Sequence, residues 1–301
     1  MTEIRFDNRV ALITGAGGGL GRTHALLLAS RGAKVVVNDL GGNMDGTGGG
    51  HSMADTVVQE IQDAGGEAVA NYDSVATPEG GQAMVQSALE AFGGLDIVIN
   101  NAGILRDKTI TKLSDEELTA VLDVHLRGAF HVTRPAFVHM KEQGYGRFVH
   151  TSSNSGLLGN FGQSNYGAAK MGLVGLSSVL ALEGMKYNIK SNVLAPVAKS
   201  RMTESLLGPL VDSLDPALVS PLVAFLVSED CPYTHSIFSA GGGRYAQMFV
   251  GLTQGWFAGK GNIPTPEEIQ NNMGTITDQT GFVVPNSIAD ELQILGEMLK
   301  S

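Results

Sequence analysis

The stretch RVALITGAGGGLGRTHALLLAS, residues 9–30, decides the predicted fold. Residues 9–14 form an apolar, β-branched run typical of a buried strand, and residues 23–30 have the apolar period of a helix. Between them lies the glycine-rich sequence Thr14-Gly15-Ala16-Gly17-Gly18-Gly19-Leu20-Gly21. A strand, such a loop and a helix in that order are typical of a turn that binds pyrophosphate at a helix start, although the loop by itself also fits an ordinary strand–helix connection.

Strands alternate with helices along most of the chain. The predicted strands are residues 9–14, 33–38, 95–100, 147–152 and 189–195. This alternation predicts an α/β fold with a parallel sheet that helices cover on both faces. From about Gly241 the alternation fades. Residues 246–301 are therefore predicted to form a carboxy-terminal extension on the substrate side or at a subunit contact, and not an independent domain.

Composition excludes several kinds of partner and chemistry. The 301 residues carry a formal net charge of −10, which repels phosphate backbones and anionic lipids, so neither nucleic acid nor a membrane is an expected partner. No segment nears the about 20 apolar residues that span a bilayer. The only cysteine, Cys231, cannot form an internal disulfide and is expected to be a small buried residue. We expect a cytoplasmic protein without a metal site.

Four local patterns give more specific predictions. The glycine-dense segment 41–50 is expected to be a mobile loop after the second strand. Ser114 followed by Glu117 predicts a helix that starts with a capping box. Pro135 is expected to end or kink that helical stretch. A closing helix is predicted near residues 290–299.

Two polar sequences follow predicted strands. Asp39 ends the second strand, where a carboxylate accepts hydrogen bonds from the ribose hydroxyls of a dinucleotide and repels a 2′-phosphate. This position favours NAD over NADP, and a solvated loop aspartate is the alternative. The predicted strand at residues 95–100 ends in the sequence Asn100-Asn101-Ala102-Gly103, and a cofactor crevice is expected there. These residues are also typical of turns.

Ser153, Tyr166 and Lys170 indicate acid–base chemistry. Tyr166 and Lys170 are four residues apart (170 − 166 = 4), so on a helix they share one face. A nearby ammonium favours the ionised phenol, so Lys170 is expected to make Tyr166 a general acid/base. Ser153 ends the preceding strand, where its hydroxyl could hold the substrate oxygen. A surface pair without a role is the alternative for Tyr-x-x-x-Lys alone, but the other motifs argue against it.

Together these motifs resemble the short-chain dehydrogenase/reductase family over about residues 5–245, with Ser153 thirteen residues before Tyr166 (166 − 153 = 13). The resemblance implies a single Rossmann-type doubly wound parallel sheet with helices on both faces, and an NAD-binding domain at residues 1–245. It also implies a homodimer or homotetramer and hydride transfer at a carbinol or carbonyl carbon. It implies that Tyr166 is the acid/base, Lys170 also holds the nicotinamide ribose, and Ser153 polarises the carbonyl. The implied cofactor contacts are Gly15, Gly19, Leu20, Gly21, Asp39, Asp73, Ser74, Val75, Asn101, Tyr166, Lys170, Val197 and Ala198.

A closer similarity links the chain to the (3R)-hydroxyacyl-CoA dehydrogenase part of peroxisomal multifunctional β-oxidation enzymes, which are also called 17β-hydroxysteroid dehydrogenases. It rests on residues 38–42, 70–75, 101–107 and 159–163. Two positions depart from the wider family. His125 stands where the family has an Asn of a proton relay with Lys170, and it is expected either to take that catalytic place or to pack without a role. Pro196-Val197 replaces Pro-Gly, so the loop on the nicotinamide side is expected to differ in shape.

The resemblance favours NAD-dependent oxidation of a (3R)-3-hydroxyacyl-CoA to the 3-oxoacyl-CoA. Because the net charge repels the polyanionic CoA, a local basic patch is needed, and Arg106, Lys108 and Lys112 are candidates for it. A solvated charged loop is the alternative for these three residues.

Two other functions stay open. The first is a 17β-type hydroxysteroid or another hydrophobic secondary alcohol as substrate. Phe249, Trp256 and Phe257 could line its pocket, or they could pack in a core or a subunit interface. The second comes from a different class: a non-catalytic sensor or scaffold that binds NAD without turnover.

Overall fold

The predicted strands form one sheet in the computed structural model of the protein, in which residues 3–199 and 212–300 are described. The strands are β1 (Val10–Thr14), β2 (Lys34–Asn38), β3 (Glu67–Asn71), β4 (Ile97–Asn100), β5 (Gly146–Thr151), β6 (Ile189–Pro196), β7 (Ile237–Gly241) and β8 (Arg244–Met248). All five strands predicted by range are confirmed. The ranges of β3, β7 and β8 were not predicted, because their sequences, EAVAN, IFSAG and RYAQM, lack a continuous β-branched run.

The sheet has the order β3-β2-β1-β4-β5-β6-β7-β8, and the pairs from β3 to β7 are parallel. Leu12 of β1 pairs with Val36 of β2 on one side and with Val98 of β4 on the other. The chain order therefore reverses at β1. In open parallel sheets, ligands bind in the crevice at the carboxyl ends of the strands beside such a reversal. The predicted doubly wound fold is confirmed, and its crevice lies beyond Thr14 and Asn100.

Ten α-helices are described within residues 3–199 and 212–300. They are α1 (Gly19–Ser30), α2 (Ser52–Asp63), α3 (Pro78–Phe92), α4 (Asp115–Leu122), α5 (Gly128–Gln143), α6 (Asn154–Leu158), α7 (Ser164–Gly184), α8 (Ser220–Val227), α9 (Pro266–Ile276) and α10 (Ile288–Met298). A π-helical turn, Asp123–Arg127, joins α4 to α5. The predicted closing helix corresponds to α10.

Alternate residues of each strand pack into cores on opposite faces of the sheet. In β1, Ala11 and Ile13 pack in the core that includes side chains of α1, α2 and α8. Leu12, between them, packs in the core that includes side chains of α3 and α5. Such two-sided burial explains why the strands are apolar throughout. The lone Cys231 is fully buried in the first core, as predicted.

The start of α4 confirms one local prediction. Helix α5 contradicts one of the two outcomes expected at Pro135, the end of the helix, whereas a kink there stays a prediction. Ser114 Oγ accepts from Glu117 N, and the Glu117 carboxylate accepts from Ser114 N, which completes the capping box. Pro135 does not end the helix, because α5 continues past it to Gln143. Side chains of α5 on both sides of Pro135, including Val132 and Met140, pack in the sheet core and hold the helix together across the missing N–H group.

One helical stretch, Ser164–Tyr187, is long and apolar enough to cross a membrane by length and composition. The prediction that no segment approaches this length is therefore wrong. Half of the stretch is buried within the protein. The core helix of a globular domain passes the same test, and this stretch contains α7, whose residues Leu173, Leu176 and Leu180 are buried in a core cluster with Ala129 of α5.

The chain divides into two compact units, Met1–Gln247 and Met248–Ser301. The second unit contains α9 and α10, neither of which has a fully buried residue. Within it, Phe249 stacks on Phe282 with ring centroids 5.4 Å apart. The expectation that Phe249, Trp256 and Phe257 line a substrate pocket stays a prediction, as does the role of the extension.

Candidate active site

A cavity of about 490 Å³ lies at the carboxyl ends of the strands beside the reversal in chain order. Loops that follow β1 to β5 all contribute to its wall. The predicted site residues that line it are Gly15, Gly19, Leu20, Asp39, Asp73, Ser74, Val75, Asn101, His125, Ser153, Tyr166, Lys170 and Ala198. The lining does not include Gly21 or Val197. The Val197 N–H donates to the Ala240 carbonyl, so this residue extends the pairing of β6 with β7.

The glycine loop after β1 is shaped by close backbone contacts. Gly15 has a φ of +62°, and a Cβ added there would lie 2.9 Å from Ala102 Cα. A Cβ added at Gly21 would lie only 2.3 Å from the Gly15 carbonyl oxygen. Gly21 is therefore required beneath the loop for packing and not at the cavity surface. Helix α1 begins at Gly19 without a side-chain cap from the described residues, so its first N–H groups remain available to an anion.

Asp39 holds two loops in place. Its Oδ2 accepts from the Gly17 N–H at 2.8 Å, and its Oδ1 accepts from the Gly41 N–H at 2.7 Å. The first bond fixes the glycine loop after β1, and the second fixes the start of the loop after β2. Each carboxylate oxygen has a further lone pair, so the side chain can still accept from ribose hydroxyls.

The loop of residues 41–50 is bound to the segment after β4. The Leu105 N–H donates to the Met44 carbonyl at 2.9 Å, and Arg106 Nε donates to the Asp45 carbonyl at 2.9 Å. Met44, Leu105 and Arg106 line the cavity, so the loop forms part of its wall. The mobility predicted for this loop stays a prediction. Arg106, a candidate ligand of CoA, uses one of its donors within the protein, whereas Lys108 and Lys112 are exposed.

Asn101 connects the end of β4 to the end of β1. Its Nδ2 donates to the carbonyls of Thr14 at 3.0 Å and Gly15 at 3.1 Å. In return, Thr14 Oγ1 accepts from the N–H groups of Asn101 and Ala102, both at 3.0 Å. Asn101 therefore supports the glycine loop from below in addition to lining the cavity.

Helix α7 brings Tyr166 and Lys170 to the same side, as their spacing predicts. Lys170 Nζ lies 5.5 Å from the centroid of the Tyr166 ring and donates to the Thr151 carbonyl at 2.5 Å. Ser153 follows β5 as the N-cap of α6, where its Oγ accepts from the Ser155 N–H at 3.1 Å. Lys170 is 3% exposed. A buried lysine and a partly buried tyrosine thus lie together at the wall of the cavity.

Burial controls the proton affinities of this group. It raises the pKa of Tyr166; a hydrogen bond with Ser153 lowers that pKa, and the Asp107 carboxylate raises it. Burial also lowers the pKa of Lys170 to about 7. The net shift of the Tyr166 pKa is upward because burial disfavours the phenolate, just as it disfavours the Lys170 ammonium. The predicted influence of the Lys170 ammonium, which favours the ionised phenol, stays a prediction.

His125 lies in the π-helical turn, against the other two side chains. Its ring meets the Tyr166 ring edge to face, with centroids 5.1 Å apart, and its Nε2 lies 2.7 Å from the Ile104 carbonyl oxygen. Burial and the Lys170 charge hold the pKa of His125 well below its usual range, so the imidazole is neutral. Single π-helical turns recur at functional sites. This position fits both alternatives for His125, a relay or packing, which stay predictions.

Several residues of the cavity wall carry no role predicted from the sequence. Ile104, Leu105, Asn160 and Gln163 all line the cavity. They fall within residues 101–107 and 159–163, which the sequence marks only as segments of closer family similarity. Neither hydrophobic period nor charge distinguishes them, so no local signal assigns them to the site.

A nicotinamide dinucleotide fits the groups that this cavity presents. A Cβ at Gly17 would lie 2.8 Å from Asp39 Oδ2, so the backbone there is open only because the residue is glycine. The uncapped start of α1 suits a pyrophosphate, Asp39 suits an adenosine ribose, and Lys170 Nζ suits a second ribose.

Comparison with known proteins identifies the family and several relatives of this chain. The sequence profile of the short chain dehydrogenase family matches residues 9–207. Peroxisomal multifunctional enzyme type 2 of Mus musculus is 50% identical over 300 residues, which cover 99% of this chain and 40% of that enzyme. The hydroxyacyl-CoA dehydrogenase ChsB1 of Mycobacterium tuberculosis is 40% identical over 237 residues, covering 74% of this chain and 73% of that protein.

A solved structure matches the fold as well. The structure of full-length peroxisomal multifunctional enzyme type 2 from Drosophila melanogaster has a TM-score of 0.83 and 39% identity, and it covers 99% of this chain and 50% of that one. The chain thus spans half or less of the two multifunctional enzymes. It belongs to the short-chain dehydrogenase/reductase family, whose members are oxidoreductases that act on CH–OH donors with a nicotinamide cofactor.

Proposed function

We propose that the protein oxidises a 3-hydroxyacyl-CoA to the 3-oxoacyl-CoA, with NAD as the hydride acceptor and a preference for the (3R) isomer. The observation that carries this proposal is the convergence of Ser153, Tyr166 and Lys170 on one cavity with Asp39. The substrate class is supported by the similarity to a hydroxyacyl-CoA dehydrogenase and to peroxisomal multifunctional enzymes.

In this mechanism Tyr166 moves the proton. A nicotinamide held beside Lys170 would supply the acceptor for the hydride of the carbinol carbon. Tyr166 Oη, as the phenolate, takes the proton of the substrate hydroxyl, while the Ser153 hydroxyl holds the substrate oxygen in place. Lys170 holds the nicotinamide ribose and, when protonated, stabilises the phenolate. His125 takes the place of the family's relay residue next to Lys170.

The preference for NAD over NADP follows from Asp39. Its carboxylate is fixed by the Gly17 and Gly41 N–H groups and cannot swing far from the ribose position. A negative charge held there repels a 2′-phosphate. Removal of Asp39 would also release both loops, so comparing the two cofactors on the unaltered protein is the cleaner test.

The acyl-CoA is proposed to use two kinds of surface. Met44, Ile104 and Leu105 supply apolar wall for the acyl chain. Lys108 and Lys112, which are exposed, supply positive charge for the CoA phosphates.

A substrate panel tests this function. Formation of NADH from NAD, or of NADPH from NADP, is followed with (3R)- and (3S)-3-hydroxyacyl-CoA esters, 17β-hydroxysteroids and simple secondary alcohols. We expect the (3R)-acyl-CoA with NAD to give the highest kcat/KM, and NAD to exceed NADP by about tenfold or more, which is about 1.4 kcal/mol. Turnover of steroids alone would refute the acyl-CoA proposal. Binding of NADH without turnover of any alcohol would favour a sensor or scaffold.

We also propose that the protein is a homodimer or homotetramer. Apolar side chains are exposed on α5 and α7, among them Phe130, Val138, Met171, Val179 and Leu182. Such patches are typical of surfaces that another protein covers. Sedimentation equilibrium at micromolar concentration is expected to give two or four chains, and a monomer there would contradict the proposal.

A further inference from the structure

The loop of residues 41–50, here called the strap, connects two separate parts of the cavity wall. At its start, the Gly41 N–H donates to Asp39 Oδ1 at 2.7 Å. In its middle, the Met44 carbonyl accepts from the Leu105 N–H at 2.9 Å. The strap therefore reaches from the carboxylate that suits the adenosine ribose to the segment that follows β4.

Two side chains of that segment hold the middle of the strap. Arg106 Nε donates to the Asp45 carbonyl at 2.9 Å. Gly46 has a φ of +84°, and a Cβ added there would lie 3.2 Å from two carbon atoms of the Ile104 side chain, which is 8% exposed. The strap thus packs its backbone directly on a buried apolar side chain, beside the hydrogen bond from Arg106.

The segment after β4 is itself fixed to the start of α7. Asn165 Nδ2 donates to the Arg106 carbonyl at 3.0 Å, and Gln163 Nε2 donates to Asp107 Oδ2 at 2.7 Å. Asn165 directly precedes Tyr166. Because these bonds hold the segment in place, the strap can move away only by breaking its own contacts with Leu105 and Arg106.

The strap borders the space that the proposed dinucleotide occupies. The cavity wall includes Asp39, which suits the adenosine ribose, and Lys170, which suits the second ribose. Four residues of the strap belong to the same wall: Gly42, Asn43, Met44 and Gly46. A dinucleotide that reaches from Asp39 to Lys170 therefore lies against the strap.

We propose that Arg106 is a positioning residue for the cofactor: its bond to the Asp45 carbonyl holds the strap closed along the dinucleotide, and the strap must leave the segment after β4 before the nucleotide dissociates. The inference rests on the proposed function, which places a nicotinamide dinucleotide in this cavity. Opening of the strap breaks the bonds from Leu105 and Arg106 and uncovers Ile104. It changes no reacting group, so it controls retention of the cofactor and not the chemical step.

The test compares two uncharged substitutions of Arg106. Arg106→Gln keeps an N–H donor at the position of Nε, whereas Arg106→Met has a similar length and no donor. We expect Arg106→Met to increase the dissociation rate of NADH by about threefold or more, because loss of one hydrogen bond favours the open strap, and Arg106→Gln to stay close to the unaltered protein. Stopped-flow displacement of NADH by excess NAD measures this rate. In Arg106→Met the KM for NAD is expected to rise while kcat does not fall.

A matched pair of glycine substitutions tests the strap without altering Arg106. Gly46 and Gly65 both have a φ of +84°, but no atom lies within 4 Å of a Cβ added at Gly65. The backbone strain of an alanine is thus common to both positions, and only Gly46→Ala adds a contact with Ile104. We expect Gly46→Ala to increase the dissociation rate of NADH and Gly65→Ala to leave it unchanged. This pair also provides the test where Arg106→Met does not fold.

The outcomes separate this inference from the proposed function. Equal dissociation rates in the unaltered protein, Arg106→Met and Gly46→Ala overturn the inference and leave the proposed dehydrogenase activity intact. A rate in Arg106→Gln as high as in Arg106→Met assigns the effect to the lost charge and also overturns it, as does an equal increase in Gly65→Ala. Because NADH is measured without an alcohol, failure of the substrate panel does not affect this test. An unaltered protein that does not bind NADH refutes the proposed cofactor and this inference together.

Discussion

The cavity has a binding half, around Asp39 and Asn101, and a chemical half, around Tyr166 and Lys170. The polar groups of the binding half are bonded to the backbone, whereas those of the chemical half are buried with fewer partners. On the adenosine side, both oxygens of Asp39 accept backbone N–H groups, and Asn101 bonds to the carbonyls of Thr14 and Gly15. On the side of the proposed chemistry, Lys170 is buried with its Nζ bonded to one carbonyl, and His125 Nδ1 has no partner among the described residues.

This difference separates binding from proton transfer. Polar groups that bond to each other hold loops in a fixed shape, which prepares a surface for a cofactor. Polar groups that are buried without a counter-charge change their pKa, as Lys170 and Tyr166 do. Of the two shifts, only that of Lys170 brings a pKa close to neutral pH, whereas the raised pKa of Tyr166 disfavours the phenolate that accepts the substrate proton.

The largest expected effect is a loss of turnover from a substitution that changes only the chemical half. Tyr166→Phe removes the proton acceptor and leaves the ring, so we expect kcat to fall by about a thousandfold while the Kd for NADH stays within about twofold. Stopped-flow turnover and fluorescence titration of NADH measure the two quantities. Tyr187→Phe, at the far end of the same helical stretch, is the control. Retained turnover in Tyr166→Phe would mean that proton transfer lies elsewhere.

A smaller effect is expected in the binding half. A Cβ at Gly21 would lie 2.3 Å from the Gly15 carbonyl oxygen and 2.7 Å from Asn101 Nδ2. We expect Gly21→Ala to lower the free energy of unfolding by about 1–3 kcal/mol and to weaken NADH binding by about tenfold or more. Urea denaturation and NADH titration test this expectation. Gly94→Ala, where no atom lies within 4 Å of the added Cβ, is expected to change neither; similar losses in both variants would contradict the packing argument.

The smallest expected effect concerns the free energy of unfolding that is lost because Lys170 is buried in the chemical half. Burial lowers the pKa of Lys170 to about 7 from an ordinary 10.5, so between these pH values the unfolded chain binds a proton that the folded chain does not. The free energy of unfolding of the unaltered protein therefore rises with pH across this window. The Lys170→Met protein has no lysine to deprotonate on folding, so its free energy of unfolding is expected to be higher by about 1–2 kcal/mol at pH 7. This difference is expected to shrink towards pH 10.

Urea denaturation at several pH values measures this advantage. Lys260→Met, at an exposed lysine, is the control and is expected to show no such dependence on pH. A stability difference for Lys170→Met that stays constant from pH 7 to pH 10 would show that the lysine is not held neutral by burial.

The sequence by itself determined the features that depend on near neighbours in the chain. Apolar runs and helical period identified β1, α1 and a parallel sheet with helices on both faces, and the capping box identified the start of α4. Spacing alone placed Tyr166 and Lys170 on one face of a helix. Such patterns act over a few residues, because backbone hydrogen bonds and the helical repeat are local.

Only the tertiary structure decided the electrostatics of the site. The burial of Lys170 and the raised pKa of Tyr166 depend on which elements pack over them. The bond from Arg106 to Asp45 and the pair of Asp107 with Gln163 join residues 61 and 56 positions apart. No local pattern specifies such contacts, because solvation and charge interactions depend on distances in space and not on spacing along the chain.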